Sequence, residues 1–553
     1  MMTGCYTGAT GQAAHDDEAP GRVDGDGGGD GDGDDGGPNA ACGGDGPVVA
    51  SRPMRRLTPT QYQSTMRDLL GDAELSTEFD DVEVVLTERG VRQLRTGAER
   101  AIERIANWEP GLVPCDINGP EDATCANAVI ESLAPRAFRR PLSDEERAWL
   151  QSVYEETAEA QDFQSAMEAL LSTILQAPAF VYHTEVGTAV EGASDDIRAL
   201  DDYELASRLS YFLWDSMPDA ELFEAAGAGL LTGEGLTAQA ERMLVDPRAQ
   251  AKMQAFIWSW LQLDGGRAHF ALGEQTKSGS HFPEYTPELV DAMGVELQAF
   301  VEHTLYDGDG NFSELFTSTD AYVNASLGDL YLANDAPMTD EEWAWLELDP
   351  TKRAGLLTRL AFLSTFASPE VQSPIRRGVF VYEQMLCGHL GEPPPNASDV
   401  PVGGGDVDGT VLSVREEVEL RTSEAECTGC HNIINNIGFS FEHYDAVGRW
   451  RSVELTSGRF IDASGRLVGS DVDDDVTNAV ELSALLADSA KVKNCFAQRW
   501  VEQAIGSMPS VEDACSVEQI QSRFSETGDV AELMVAIAMS DTFRYINVGG
   551  EGE

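Results

Sequence analysis

A mainly α-helical, multidomain fold is predicted, with a small β-hairpin in the C-terminal third and a disordered acidic tail at the N-terminus. Three observations carry that prediction. The chain has 553 residues, more than one hydrophobic core usually organises, so three or four domains are expected. Apolar residues make up 42% of it, enough to bury a core along most of its length. Helix starts with readable caps recur through the body, whereas strand signals are few and short.

The elements follow in order. From 15 to 47 the chain is mostly Gly and Asp, with ten acids and one Arg between Asp16 and Asp45. Such a segment cannot bury enough apolar surface to order itself and reads as a flexible spacer. Thr58-Pro59-Thr60-Gln61 offers an N-cap, a first-turn Pro and a capping Gln ahead of Tyr62, Met66, Leu69 and Leu70, and Gly71 ends that helix. Ser143 to Glu146 and Asp201 to Glu204 are capping boxes that open helices through Leu150 and Tyr154 and through Leu205, Leu209 and Phe212. Thr286-Pro287 opens another, burying Leu289, Met293, Leu297 and Phe300. Between Gly458 and Val468, Asp462-Ala463-Ser464-Gly465 has turn chemistry between Phe460-Ile461 and Leu467-Val468, which predicts the hairpin. Gly/Pro/Asp-rich breaks divide the chain into 1–47, a lipoprotein-like start and linker; 48–190, two helical modules; 195–348, a third; 349–452, a fourth; and 453–548, a C-terminal module with the hairpin.

Lys and Arg total 37 against 96 Asp and Glu, a net charge of −59. A phosphate backbone would be repelled, so nucleic acid is not expected as a partner. No window approaches the roughly 18 to 20 apolar residues of a spanning helix. Met1-Met2-Thr3-Gly4-Cys5 looks like the end of a lipoprotein signal whose basic and apolar regions are missing, so Cys5 is the expected lipidation site and a lipid anchor the expected membrane link. Nine cysteines suit an exported protein. Cys115 and Cys125 flank a polar loop, and Cys495 and Cys515 flank a helix end and turn; both spacings could close disulfides. Cys42 and Cys387 remain, with free buried thiols the default for both.

Cys427-Thr428-Gly429-Cys430-His431 has the form needed to attach a c-type haem: two thioether sulfurs and an adjacent proximal imidazole. Three other causes stay open. A thioredoxin-like redox pair would need a βαβ context, which the pattern lacks. Zinc would use Cys427, Cys430, His431 and a fourth ligand such as His443, Cys387 or His389. A structural disulfide would join Cys427 to Cys430. For a sixth iron ligand the candidates are His443 and the methionines Met385, Met508, Met534 and Met539, each with an ordinary packing role as the alternative. Arg449 and Arg451 flank Trp450 and could pair with haem propionates, or with local acids such as Glu442 and Asp445.

These stretches resemble a multi-module family of exported proteins, built from consecutive domains of unknown function and labelled planctomycete cytochrome-type or cellulose-binding. The resemblance runs from about residue 50 to 546. It rests on Arg56 to Tyr62, Arg136 to Leu142, Leu205 to Trp214 with Met217-Pro218-Asp219, Ser373 to Gly378, Gly438-Phe439 to Arg451, Ala504-Ile505-Gly506 and Ser540 to Arg544. It implies export and a cytochrome-c-like haem motif at Cys427, Cys430 and His431. Where the family usually has Asp-Pro before Ile-Gly-Phe, this chain has Asn435-Asn436, and His443 stands where Asn is common.

The expectation is therefore a lipid-anchored protein of the periplasm, outer membrane or cell surface, carrying one covalent haem c. It would pass single electrons to a redox partner or to other exported modules. The alternative is a cofactor-free surface binding or scaffolding lipoprotein, polysaccharide-binding included. No Gly-x-Ser-x-Gly or His-Glu-x-x-His motif marks a hydrolase. Trp258 and Trp260, or Trp343 and Trp345, are explained as well by helix packing as by a sugar platform.

Overall fold

A computed structural model describes residues 46–80, 82, 87–107, 123–265, 270–391 and 405–549. Cys5, Cys42, Cys115, the Gly/Asp tail and the 393–404 stretch lie outside them. Twenty-two α-helices form among the described residues, with one three-stranded and three two-stranded antiparallel sheets. The fold is mainly α and multidomain. No helix among the described residues is long and apolar enough to cross a membrane.

The chain divides into two units. One comprises 38–252, 500–520 and 533–553, the other 253–499 and 521–532.

In the first unit the readable caps all form. Thr58 accepts from the Gln61 N–H while the Gln61 side chain returns to the Thr58 N–H, and Ser143 with Glu146 and Asp201 with Glu204 do the same. Each box satisfies two otherwise orphaned N–H groups, which is why these helices begin where they do. Helices Pro59–Leu70, Ala123–Phe138, Asp144–Ala160 and Phe163–Gln176 share one core through Tyr62, Met66, Val129, Leu133, Leu150, Leu170 and Ile174. Strand Ile197–Ala199 is central in its sheet, with Thr188–Ala189 on one side and Tyr545–Asn547, near the end of the chain, on the other.

The second unit contains helices Pro287–Glu302, Pro374–Phe380, Ala425–Gly438 and Ala479–Asp488. Trp260, Phe312, Phe316, Phe496 and Phe524 form an aromatic core, with ring centroids as close as 4.8 Å. Trp260 is thus a packing residue. Trp343 and Trp345 are not on a helix. Trp345 lies on strand Ala344–Glu347, opposite Tyr322 of strand Asp320–Val323. Tyr322 also stacks on Trp343 at 5.1 Å.

Four sequence readings are corrected. The hairpin turn at Asp462 forms, its carboxylate accepting from the Ser464 N–H at 3.0 Å, but the expected strands do not pair across it. Arg415 donates to the carbonyls of Asp462 and Ser464, and Phe460 bridges to Val453 instead. The ladder that forms joins Gly465–Arg466 to Asp475–Val476. Cys495 pairs with Cys387, not Cys515, at a Cα separation of 5.6 Å, so Cys387 is no free thiol. Cys515 belongs to the other unit; it and Cys125 are each disulfide-bonded. Finally, Cys430 is a free, exposed cysteine, so no disulfide joins it to Cys427.

Candidate functional site

Helix Ala425–Gly438 carries the Cys-x-x-Cys-His segment, and its periodicity decides which of the three groups faces inward. Cys427, His431, Ile434 and Gly438 recur at helical spacing and are all buried. Cys430 stands one residue before His431, about 100° round the helix by its geometry, and is exposed. Its sulfur meets the Leu390 carbonyl oxygen at 3.4 Å.

The buried face seats this helix against helix Pro374–Phe380 through two glycines. A Cβ on Gly378 would lie 1.9 Å from the Ile434 carbonyl oxygen, and one on Gly438 would lie 1.9 Å from the Pro374 carbonyl oxygen. Two fully buried arginines hold the chain that follows. Arg377 donates to the carbonyls of Leu363, Phe441, Tyr444 and Asp445. Arg353 donates to those of Thr358 and Gly448 and lies 4.9 Å from the rings of both Tyr331 and Tyr444. Burying a guanidinium costs least when its N–H groups meet acceptors; here four of the six acceptors are carbonyls of the segment that leaves the motif, while the Nε of each arginine has no hydrogen-bond partner among the described residues.

His431 Nδ1 lies 2.9 Å from Asn435 Oδ1, and Asn435 Nδ2 donates to Thr422 Oγ1 at 2.9 Å. An amide oxygen can only accept, so Nδ1 carries the proton in this bond. That is the tautomer an iron-binding imidazole requires, fixed by the kind of outer partner that orients metal-bound histidines.

The other predicted residues are placed as follows. Arg449 pairs with Glu284 at 2.6 Å, a partner 165 residues away in sequence that local reading missed. Arg451 donates to Gln372 Oε1 at 2.5 Å. His443 Nδ1 donates to the Arg451 carbonyl at 2.9 Å, and its ring stacks on Trp450 at 5.0 Å. Met385 is buried in the same unit as His431, whereas Met508, Met534 and Met539 belong to the other unit. Among the described residues no three His, Cys, Asp or Glu side chains converge to hold a metal ion.

Beside this segment a cavity of about 360 Å³ is lined by Arg415, Glu416, Glu442, Glu454, Arg459 and Asp462 among others. Glu442 is 3% exposed. One oxygen accepts from Gln372 at 2.9 Å, while the other has no hydrogen-bond partner among the described residues. Burial pushes its carboxyl up to about 7, against the pull of Gln372 and Arg451.

Whether the motif fits haem c is decided by its sulfurs and its imidazole. Cys430 is an available thiol and His431 has the right tautomer. Cys427, by contrast, is disulfide-bonded, and one sulfur cannot hold a disulfide and a thioether together. Cys430 and His431 are the thiol and imidazole that haem c would use, and the Cys427 disulfide leaves no second thioether while it stands.

Fold and site together define a helical, disulfide-bearing, multi-module protein. The chain matches four family models, each described as a protein of unknown function: DUF1595 over 125–185, DUF1592 over 200–332, DUF1588 over 353–454 and DUF1585 over 473–543. It belongs to the multi-module, planctomycete cytochrome-type family in which these domains follow one another. Comparison with curated proteins and with solved structures gives no match.

Proposed function

We propose that the protein is an exported, lipid-anchored, c-type-cytochrome-like electron carrier, or the redox module of a periplasmic or surface assembly. One observation carries the reading: the buried hydrogen bond from His431 to Asn435, which presets an iron-binding imidazole beside a free thiol. Haem bound there would supply one-electron exchange. The chain's own part is to orient His431 through Asn435 and Thr422, and to hold the following segment through Arg353 and Arg377. A second thioether needs Cys427 as a free thiol, so two-thioether attachment and the Cys427 disulfide exclude each other. The test is maturation in a periplasm that attaches haem c. Covalent haem with Cys427 absent from any disulfide supports the reading; a colourless folded protein overturns it.

The Cys427 disulfide also favours a second reading, a cofactor-free surface binding or scaffolding lipoprotein. Tyr322, Trp343 and Trp345 would then be its sugar-facing rings, Trp345 being 42% exposed. Retardation by an insoluble β-glucan, abolished in Trp345→Ala, would support it; no retardation would sink it.

A further inference from the structure

In a chain of net charge −59, a pocket of excess positive charge is unexpected, and the unit that holds the N-terminal helices has one. A cavity of about 190 Å³ is lined by Arg52, Arg55, Arg208, His183, Glu185 and backbone of the 546–549 stretch. Two of its guanidiniums are fully engaged. Arg52 pairs with the buried Asp513 at 2.6 Å and donates to Ser507 and Thr542. Arg208 grips Glu185 with two bonds of 2.8 and 2.6 Å and donates to the Phe543 carbonyl.

Arg55 is different. Its side chain is 22% exposed, and its guanidinium has one contact among the described residues, 3.5 Å to a Glu185 oxygen that Arg208 already holds. The fold also makes room for it. Gly506 has φ +71°, and a Cβ there would lie 2.5 Å from both Arg55 Cδ and Nη1. Any other residue would therefore be strained and would displace the guanidinium. His183 adds no charge, because burial and the nearby Arg55, Arg139 and Arg208 hold its imidazole neutral, against Glu185. Three guanidiniums against Glu185 and Asp513 leave one positive charge, carried by the group with spare N–H donors.

We propose that this pocket binds a carboxylate, whose two oxygens take the unused fork of Arg55. A monoanion matches the single uncompensated charge, and planar two-oxygen geometry matches a guanidinium fork. A dianionic phosphate would face Glu185 with one charge unbalanced. The volume suits a head group of a few heavy atoms, supplied by a small free acid or by a peptide C-terminus. The site is independent of any haem at His431.

The test is calorimetric titration of the full chain with acetate, propionate, inorganic phosphate, and a tripeptide in free-acid and amidated forms. Saturable binding of carboxylates over phosphate is expected. It should weaken at least tenfold in Arg55→Lys, which keeps the charge but loses the fork, and in Gly506→Ala, which removes no charge. Thermal melts without ligand check that both variants fold. In the wild type, bound carboxylate should also raise the His183 pKa, read from its ring resonances, an effect that a purely structural Arg55 would not produce. A peptide acid binding tenfold tighter than acetate, with its amide silent, assigns the source to a chain terminus; equal binding assigns it to a free acid. No saturable carboxylate binding, tighter phosphate binding, or affinity unchanged in Arg55→Lys would overturn the proposal.

Discussion

Gly378 and Gly438 sit on two helices that cross so closely that a Cβ on either would lie 1.9 Å from a carbonyl oxygen of the other helix. Both belong to stretches that stood out in the sequence, and the crossing gives them a physical role: they bring the backbone of helix Pro374–Phe380 against the helix that carries Cys427, Cys430 and His431.

Gly378→Ala should destabilise the protein by about 3 kcal/mol or more, since the contact is with backbone that cannot step aside. Gly429 lies within the second of these helices with nothing within 4 Å of its Cβ position. Gly429→Ala should therefore be neutral or stabilising by up to about 1 kcal/mol. Urea denaturation of the two variants checks the contrast, and equal effects would refute the close crossing.

Asn435→Leu removes the acceptor of His431 Nδ1 and the donor to Thr422. A cost of about 1–3 kcal/mol is expected from the buried groups left unpaired. In a haem-attaching host the ratio of covalent haem to protein should fall as well. Asn435→Asp, which keeps an acceptor for Nδ1, should restore much of that ratio; equal loss in both variants would separate orientation of His431 from haem attachment.

Glu442 gives the folded protein a pH dependence whose sign is fixed. Its carboxyl is raised to about 7 in the folded state from an ordinary 4.5, so between those values the native state binds the extra proton. Its contribution is fully present below about pH 4.5 and is lost as pH rises through about 7. Wild-type stability should therefore decline over this window relative to Glu442→Gln, which keeps a partner for Gln372 and cannot ionise. Denaturation midpoints at pH 5 and 8 read the difference. Parallel profiles would contradict the burial of an unpaired carboxylate oxygen.

The Cys387–Cys495 disulfide closes a sequence separation of 108 residues. Cys387→Ser with Cys495→Ser should cost about 2–5 kcal/mol through the denatured chain, and a reductant should destabilise the wild type by more than this double variant, which keeps the disulfides of Cys125, Cys427 and Cys515. Similar sensitivity in both would place the labile bond elsewhere.

Local signals were legible and long-range ones were not. The capping boxes at Thr58, Ser143 and Asp201 could be read because a cap is a contract between residues three apart, and each forms. The Asp462 turn could be read for the same reason. Its strands could not, since Arg415, 47 residues away, takes the Asp462 carbonyl. Glu284 as the partner of Arg449 and Cys387 as the partner of Cys495 are fixed only by the fold. At the motif the residue types were visible. What spacing alone left undecided was that helical periodicity buries Cys427 and His431 while exposing Cys430.

The most direct test is the absorption spectrum of the full chain, exported and matured where haem c is attached, after acid-acetone extraction, with its disulfides mapped by mass spectrometry. A Soret band that survives extraction is expected, with Cys427 and Cys430 both carrying haem instead of a disulfide or free thiol. A colourless folded protein with Cys427 still disulfide-bonded and Cys430 still a thiol would contradict it.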